Sequence, residues 1–158
     1  NGRLETAQEE LAQVLSHLPA ATRFNLVVYS DTASAWSQAL APASPENVRR
    51  ALRYVDRLRP VNATNIWDGL RVAMADEAVD TIYFLSDGSP TAGAILSPDA
   101  ILAALAEMNR WRRVRIHTIA LLKGDPPPMY LGSEDPAASA AFMRRLAQEH
   151  DGTFREVR

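Results

Sequence analysis

The sequence predicts an α/β fold: a doubly wound, mostly parallel sheet with helices on both faces. Three observations predict it. Three apolar runs, Phe24–Tyr29, Thr81–Ser86 and Val114–Leu121, are too short for helices and apolar enough to be buried on both faces. Segments of helical periodicity separate them at the spacing that parallel crossovers need. Two of those helices open alike, on Ser44-Pro45-Glu46 and Ser97-Pro98-Asp99: a hydroxyl cap, a proline in the first turn, then an acid where the helix dipole favours one.

Taken in order, residues 3–18 place Leu4, Leu11, Leu15 and Leu18 on one face with Val14 beside them. Glu5, Glu9, Glu10 and Gln13 lie elsewhere on the wheel. That is an amphipathic helix ending near Pro19. Phe24–Tyr29 follows as one mostly buried strand. Asp31-Thr32 reads as a turn, and residues 33–40 as a shorter, more exposed strand returning antiparallel. The helix begun at Ser44 carries Val48, Ala51, Leu52, Val55 and Leu58 and is stopped by Pro60. A polar loop over 61–65 leads into a third helix with Ile66, Leu70, Ala73 and Met74 inward. Thr81–Ser86 is the second buried strand, broken by Asp87-Gly88-Ser89-Pro90.

The helix after Ser97 buries Ile101, Leu102, Leu105 and Met108, and Val114–Leu121 is the third core strand. Residues 123–134, with three consecutive prolines, form a long surface loop. Its Asp125–Pro128 stretch reads equally as a partner contact or a stiff linker. Asp135-Pro136 caps a last helix through Phe142 and Leu146, closed by Gly152, and a short strand over 153–157 completes the pattern.

At 158 residues, without an internal repeat, the chain is one domain over 1–158. Hydrophobic residues at 47 % against 23 % charged exclude disorder. The longest apolar runs, such as Ile119–Leu122, fall far short of the roughly 18 residues that span a bilayer. A net charge of −2 argues against a dedicated nucleic-acid binder. Without cysteine there is no disulfide, zinc–thiolate site or thiol nucleophile, and the compartment stays open.

In a sheet of this kind ligands sit beyond the carboxyl ends of the strands. Three places qualify: Tyr29-Ser30-Asp31, the loop over 62–65, and Ser86-Asp87-Gly88-Ser89. Asp87 is the foremost candidate, because a carboxylate at the end of an apolar strand is half desolvated and needs a partner. Its alternative is a turn aspartate bonded to nearby amides. Thr64, taken alone, reads as the N-cap of the third helix, and Asp68 as an acid placed for that helix dipole.

The remaining chemistry-bearing residues read as structural. His17, His117 and His150 show no metal-ligand spacing; His117 is a satisfied strand histidine, and His150 suits a dipole contact at a helix end. Ser30, Ser86 and Ser89 lack the nucleophile elbow of serine hydrolases. No glycine-rich phosphate loop is present, which disfavours nucleotide binding. Arg110-Trp111-Arg112-Arg113 and Arg115 form the one basic patch, read as a solvated helix end with Trp111 folded against the core. Trp67 reads equally as packed or as lining a binding face.

The run from Phe24 to Ser30, then Ala63-Thr-Asn-Ile-Trp-Asp-Gly-Leu70, then Ile82-Tyr-Phe-Leu-Ser-Asp-Gly-Ser-Pro-Thr91, and later Arg115-Ile-His-Thr-Ile-Ala120, resembles a von Willebrand factor type A domain. The order covers nearly the whole chain. The resemblance implies a Rossmann-like sheet with a metal-ion-dependent adhesion site at its crest, where magnesium takes oxygens from three loops and a partner's acidic side chain completes the shell. By that resemblance Thr64 and Asp87 are metal ligands, and Ser30, Asn65 and Ser89 are placed to meet a partner. The family's richest loop, Asp-x-Ser-x-Ser, does not occur in this sequence; it would lie just upstream of a stretch like Asn1-Gly2-Arg3-Leu4, so the chain reads as the truncated piece of a longer protein.

Two expectations follow. Magnesium wants about six oxygens in octahedral geometry, and Thr64 with Asp87 offers two, so residues 1–158 are expected to bind it weakly or not at all, whatever the intact parent does. The resemblance also implies that the usual first, central strand is missing between the strands at Phe24–Tyr29 and Thr81–Ser86, leaving a gap of roughly 10 Å, two strand spacings, with two unpaired edges. The flanking strands then close up, or another chain's strand enters, or the chain self-associates through those edges. The functional expectation is a protein–protein interaction or adhesion module, not an enzyme. The rivals are a metal-dependent hydrolase or phosphotransferase using Asp87, and a purely structural assembly module.

Overall fold

The computed structural model describes residues 2–59, 63–121 and 135–157. Its first element, α1 (Gly2–Ser16), has the predicted amphipathic pattern. The strand expected over Phe24–Tyr29 is instead two pieces, β1 (Arg23–Phe24) and β2 (Val27–Tyr29), running into β3 (Ala33–Ala35) and β4 (Ala41–Pro42). β2 pairs antiparallel with β3 and β1 with β4, so the segment is one long hairpin interrupted in the middle. Asn25 causes the interruption. Its amide donates to the Ser37 carbonyl at 2.7 Å and its Oδ1 accepts from the amides of Leu26 and Ser37, a side chain standing in for the ladder.

Next come α2 (Pro45–Val55) and α3 (Ile66–Ala73). Ser44 caps α2, its Oγ accepting from the Asn47 amide at 3.2 Å. That helix ends at Val55, short of Pro60: the Asp56 and Arg57 amides bond back to Leu52 and Tyr54, and the chain turns before the proline is reached. β5 (Thr81–Ser86), α4 (Pro98–Asn109), β6 (Arg115–Leu121), α5 (Pro136–Glu149) and β7 (Phe154–Val157) complete the order. Ser97 and Asp135 cap α4 and α5 as the sequence predicts. The proline-rich loop expected over 123–134 lies outside the described residues.

β5, β6 and β7 form a parallel sheet, with Thr81 opposite Arg115 and Ser86 opposite Ala120. On one face α3, α4 and α5 bury a core around Ile66, Leu70, Ile101, Leu105, Ile116 and Leu146. A second core joins Leu15 of α1 and Ala51 and Val55 of α2 to Phe24, Leu26 and Ala43. The fold is α/β with a parallel sheet at its heart, as predicted.

The flanking strands have not closed up. Among the described residues the β2–β3 and β5–β6–β7 sheets share no strand pairing. A cavity of about 1740 Å³ lies between them, lined by β2, β5 and the apolar face of α1. With no described strand paired to it on that side, β2, read as mostly buried, is only half-buried along its length.

Trp111 does not fold against the core. It is 83 % exposed, with the Arg110 guanidinium 5.0 Å from its ring centroid. Arg112 turns inward in its place and donates to the carbonyls of Met74, Asp76 and Val79. A five-donor fork can satisfy the loose carbonyls at the end of α3; an indole, with one donor, cannot. Trp67 packs against the larger core.

Candidate functional site

β2 and β5 both deliver their carboxyl ends to the same end of the molecule, where three loops meet. Asn65 joins them. It is 2 % exposed; its backbone amide donates to the Ser30 carbonyl at 2.7 Å, and its side-chain amide to the Asp31 carbonyl at 2.9 Å and to Asp68 Oδ2 at 2.7 Å. Its Oδ1 accepts from the Asp68 amide at 3.1 Å, so Asn65, and not Thr64, is the N-cap of α3. Thr64 lies one residue too early to cap. Its backbone ties down the third loop instead: its carbonyl accepts from Thr91 at 3.0 Å and its amide donates to Thr91 Oγ1 at 2.9 Å.

Asp68 serves the cap as expected of a first-turn acid, and Arg71 holds its Oδ1 with two bonds of 3.2 Å. Gly93, at φ +106°, rests directly on Asn65: a Cβ there would meet Oδ1 at 2.1 Å. Asn65, expected to face a partner, therefore holds the three loops from beneath. Sequence reading missed this keystone role. The signal was a helix-start asparagine opposite a glycine, visible only once Gly93 is known to lie across from it.

Ser30, Thr64 and Asp87 are all among the residues that line the cavity. Ser30 donates to Asp31 Oδ1 at 2.9 Å, and this bond with the Thr32 amide holds the exposed Asp31 carboxyl below its usual range. Ser86 is buried and closes a small ring with Gly88, its Oγ donating to the Gly88 carbonyl at 3.1 Å. Ser89 follows, half-buried. Beneath Asp87 lies Tyr29, whose hydroxyl donates to the Leu85 carbonyl at 2.7 Å. Burial pushes the phenol well above its ordinary pKa; the Ser86 hydrogen bond opposes this, and the nearby Asp87 carboxylate adds to it. The phenol stays neutral under an anion.

The donor chemistry that Thr64 and Asp87 offer, a threonine hydroxyl and a carboxylate, is of the hard-oxygen kind that suits magnesium. It supplies one negative charge. Among the described residues no three His, Cys, Asp or Glu side chains come together. The histidines lie elsewhere. His117 bonds Thr153 Oγ1 at 2.8 Å and stacks on Tyr83, a satisfied strand histidine. His150 is buried beside Asn109 at 2.8 Å, and burial lowers its pKa, so it is a neutral core ring and not the charged dipole partner its position suggested.

The sequence profile of the von Willebrand factor type A domain matches residues 1–155. The chain is 31 % identical over 103 residues to human inter-alpha-trypsin inhibitor heavy chain H4, covering 58 % of this chain and 11 % of that protein. It is 25 % identical over 124 residues to human von Willebrand factor A domain-containing protein 3B, covering 78 % of this chain and 9 % of that protein. Among solved structures, a von Willebrand factor type A protein from Catenulispora acidiphila superposes with a TM-score of 0.75 at 17 % identity, over 98 % of this chain and 34 % of that one. BatB from Bacteroides thetaiotaomicron superposes with a TM-score of 0.66 at 14 % identity, over 98 % of this chain and 79 % of that one. The chain thus spans about a tenth of the length of these two curated relatives.

Proposed function

The chain belongs to the von Willebrand factor type A family, and from that premise we propose that it is a protein-interaction module whose partner meets the crest where the three loops join. What supports the reading is that Asn65 ties the loops carrying Ser30, Thr64 and Gly93 together, and that Ser30, Thr64 and Asp87 all line the same cavity. Loops held in place beforehand bind without first having to order themselves. Thr64 and Asp87 are the residues that would hold magnesium, with Ser30 and Ser89 beside them at the partner surface. Bound there, the ion would accept an acidic side chain of the partner, and two protein oxygens leave most of its shell to water, to the partner or to residues outside 1–158.

The proposed role is binding, the general role of type A domains in the relatives' family. His117 and His150 stand toward the amino ends of the parallel strands, away from the crest. No described helix is long and apolar enough to cross a membrane.

The test is a magnesium titration of the chain followed by backbone amide shifts. The expected result is weak binding, saturating only in the millimolar range, with shifts confined to the loops at Ser30, Thr64 and Asp87 and abolished by Asp87→Asn. Micromolar affinity would overturn the incomplete site, and shifts centred elsewhere would overturn the site itself.

A further inference from the structure

Arginines outside α2 hold acids in several places: Arg71 holds Asp68, Arg110 holds Glu107, Arg144 holds Glu156, Arg145 holds Asp99 and Glu149, and Arg155 holds Glu10. α2 is different. Arg49, Arg50 and Arg53 on the helix and Arg57 in the turn after it are all exposed, and among the described residues none of them pairs with a carboxylate. At 3.6 residues per turn the three helical ones share an arc of about 100°, opposite the buried Ala51 and Val55. Asp56 keeps the right-handed helical conformation, so Arg57 follows one turn beyond Arg53. Arg49 and Arg53 stand about 6 Å apart along the axis, and Arg57 about as far again.

The fold itself gains little from this row. Like charges three and four residues apart repel, so the arginines weaken their own helix slightly. Glu46 and Asp56 lie on the same segment and close on none of the four guanidinium groups. One member is held in place: the Arg50 guanidinium lies over the Trp36 ring, 5.7 Å from its centroid, and Trp36 stacks on Phe24. The basic patch read from the sequence is unlike it, since Arg110 is paired there and Arg112 is turned onto backbone carbonyls. None of the four α2 arginines lines the cavity shared by Ser30, Thr64 and Asp87.

We propose that the exposed face of α2 is a second interaction surface, and that its occupant is an acidic helical segment of a partner protein with a carboxylate at every fourth position. A guanidinium fork takes a carboxylate through two parallel hydrogen bonds, and a helix repeats such acids at the same interval of about 6 Å as the row. A long phosphate polymer fits less well. The whole chain carries a net charge of −2, and an extended polyanion reaches past the row into that field. A short acidic segment stays within about 8–10 Å, one Debye length, of the arginines alone. Neither Thr64 nor Asp87 takes part, so the surface stands apart from the crest.

The test is fluorescence anisotropy of a labelled alanine peptide with glutamate at every fourth position, titrated with the chain in the absence of magnesium. The expected result is saturable binding at about 20 mM salt that weakens at least about ten-fold by about 150 mM. The triple variant Arg49→Gln, Arg53→Gln, Arg57→Gln should lose at least about ten-fold at low salt; glutamine keeps the helix propensity of arginine, so the loss reads charge and not unfolding. The corresponding lysine variant should fall between the two, because it keeps the charge and loses the fork. Arg110→Gln with Arg113→Gln should change the affinity less than about two-fold. Absence of saturable binding overturns the proposal, as does an equal loss in the two glutamine variants, which would make the attraction one of overall charge. Tighter binding of a single-stranded oligonucleotide of equal charge also overturns it and gives the face to phosphates. Asp87→Asn should leave the affinity unchanged; a loss there would put the peptide at the crest instead. None of these readouts involves magnesium, so this proposal and the crest reading fail separately.

Discussion

The Tyr29 hydroxyl reaches the Leu85 carbonyl at 2.7 Å from a strand that is not paired with Leu85's own. The ring also stacks on Phe84, with centroids 5.6 Å apart, and lies so close to α3 that a Cβ on Gly69 would meet it at 2.9 Å. One side chain thus ties the hairpin to the parallel sheet across the cavity.

Tyr29→Phe separates its two contributions. The stack on Phe84 is kept and one buried hydrogen bond is lost, leaving the Leu85 carbonyl without that donor. The expected cost is about 1 kcal/mol, read as a shift in the urea midpoint. Tyr29→Ala also removes the ring and is expected to cost about 3–5 kcal/mol. Equal effects of the two substitutions would mean that the hydroxyl, and not the ring, holds the halves together.

Asn65 and Gly93 form the second test. Asn65→Ala removes the α3 cap and the buried amide's bonds to the Asp31 carbonyl and the Asp68 carboxylate, with an expected loss of about 1–2 kcal/mol. Gly93→Ala both strains a φ of +106° and drives a methyl into Asn65 Oδ1. Combined, the two are expected to cost less than their sum, because the methyl then has the space that the amide vacated. Thermal melts of the single and double variants measure the coupling; strict additivity would show that Gly93 does not press on Asn65.

These two positions also mark where the sequence stopped being legible. Strand and helix types, the Ser44, Ser97 and Asp135 caps and the α/β class all follow from local patterns, since periodicity and capping act within a few residues. What escaped depends on residues distant in the chain. The break at Asn25 needs Ser37 opposite it, and the cap at Asn65 needs Asp31 and Gly93 around it. Adjacent arginine and tryptophan cannot be ranked for burial until the carbonyls of Met74, Asp76 and Val79 are known to lie within reach of Arg112. At the crest, the sequence located the three loops, while the residue that binds them together was read as surface.

The Arg112–Trp111 exchange is directly measurable. Trp111→Ala removes a side chain that is 83 % exposed, and stability is expected to stay within about 0.5 kcal/mol. Arg112→Ala strips charge-assisted donors from three carbonyls and is expected to cost about 2–3 kcal/mol. A reversal of that order in denaturant titrations would restore the reading of Trp111 as core.

Stability is expected to fall as the solution becomes mildly acidic, and His150 is the reason. The ring is 5 % exposed, and the Asn109 amide both donates to the Val114 carbonyl at 2.7 Å and faces His150 Nδ1 at 2.8 Å. Nδ1 then accepts, the proton sits on Nε2, and Nε2 finds no hydrogen-bond partner among the described residues. Protonating Nδ1 would set two donors against each other in a dry site. Burial lowers the pKa, and the neighbouring carboxylates of Glu149 and Asp151 oppose it without reversing it. His117 shifts the same way, through burial and then Arg115. The unfolded chain takes up protons near its ordinary value of about 6.5 while the native state resists. Stability is therefore full above that pH and declines as pH falls through it toward the lower native pKa. Asp31 and Asp76, held low by hydrogen bonds, act only at more acidic pH. Urea midpoints between about pH 7 and pH 5 should drop in the native sequence and drop less in His150→Gln, which keeps an acceptor for Asn109 without a titrating ring. An unchanged slope in that variant, with His117→Gln flattening it, would move the effect to the sheet surface.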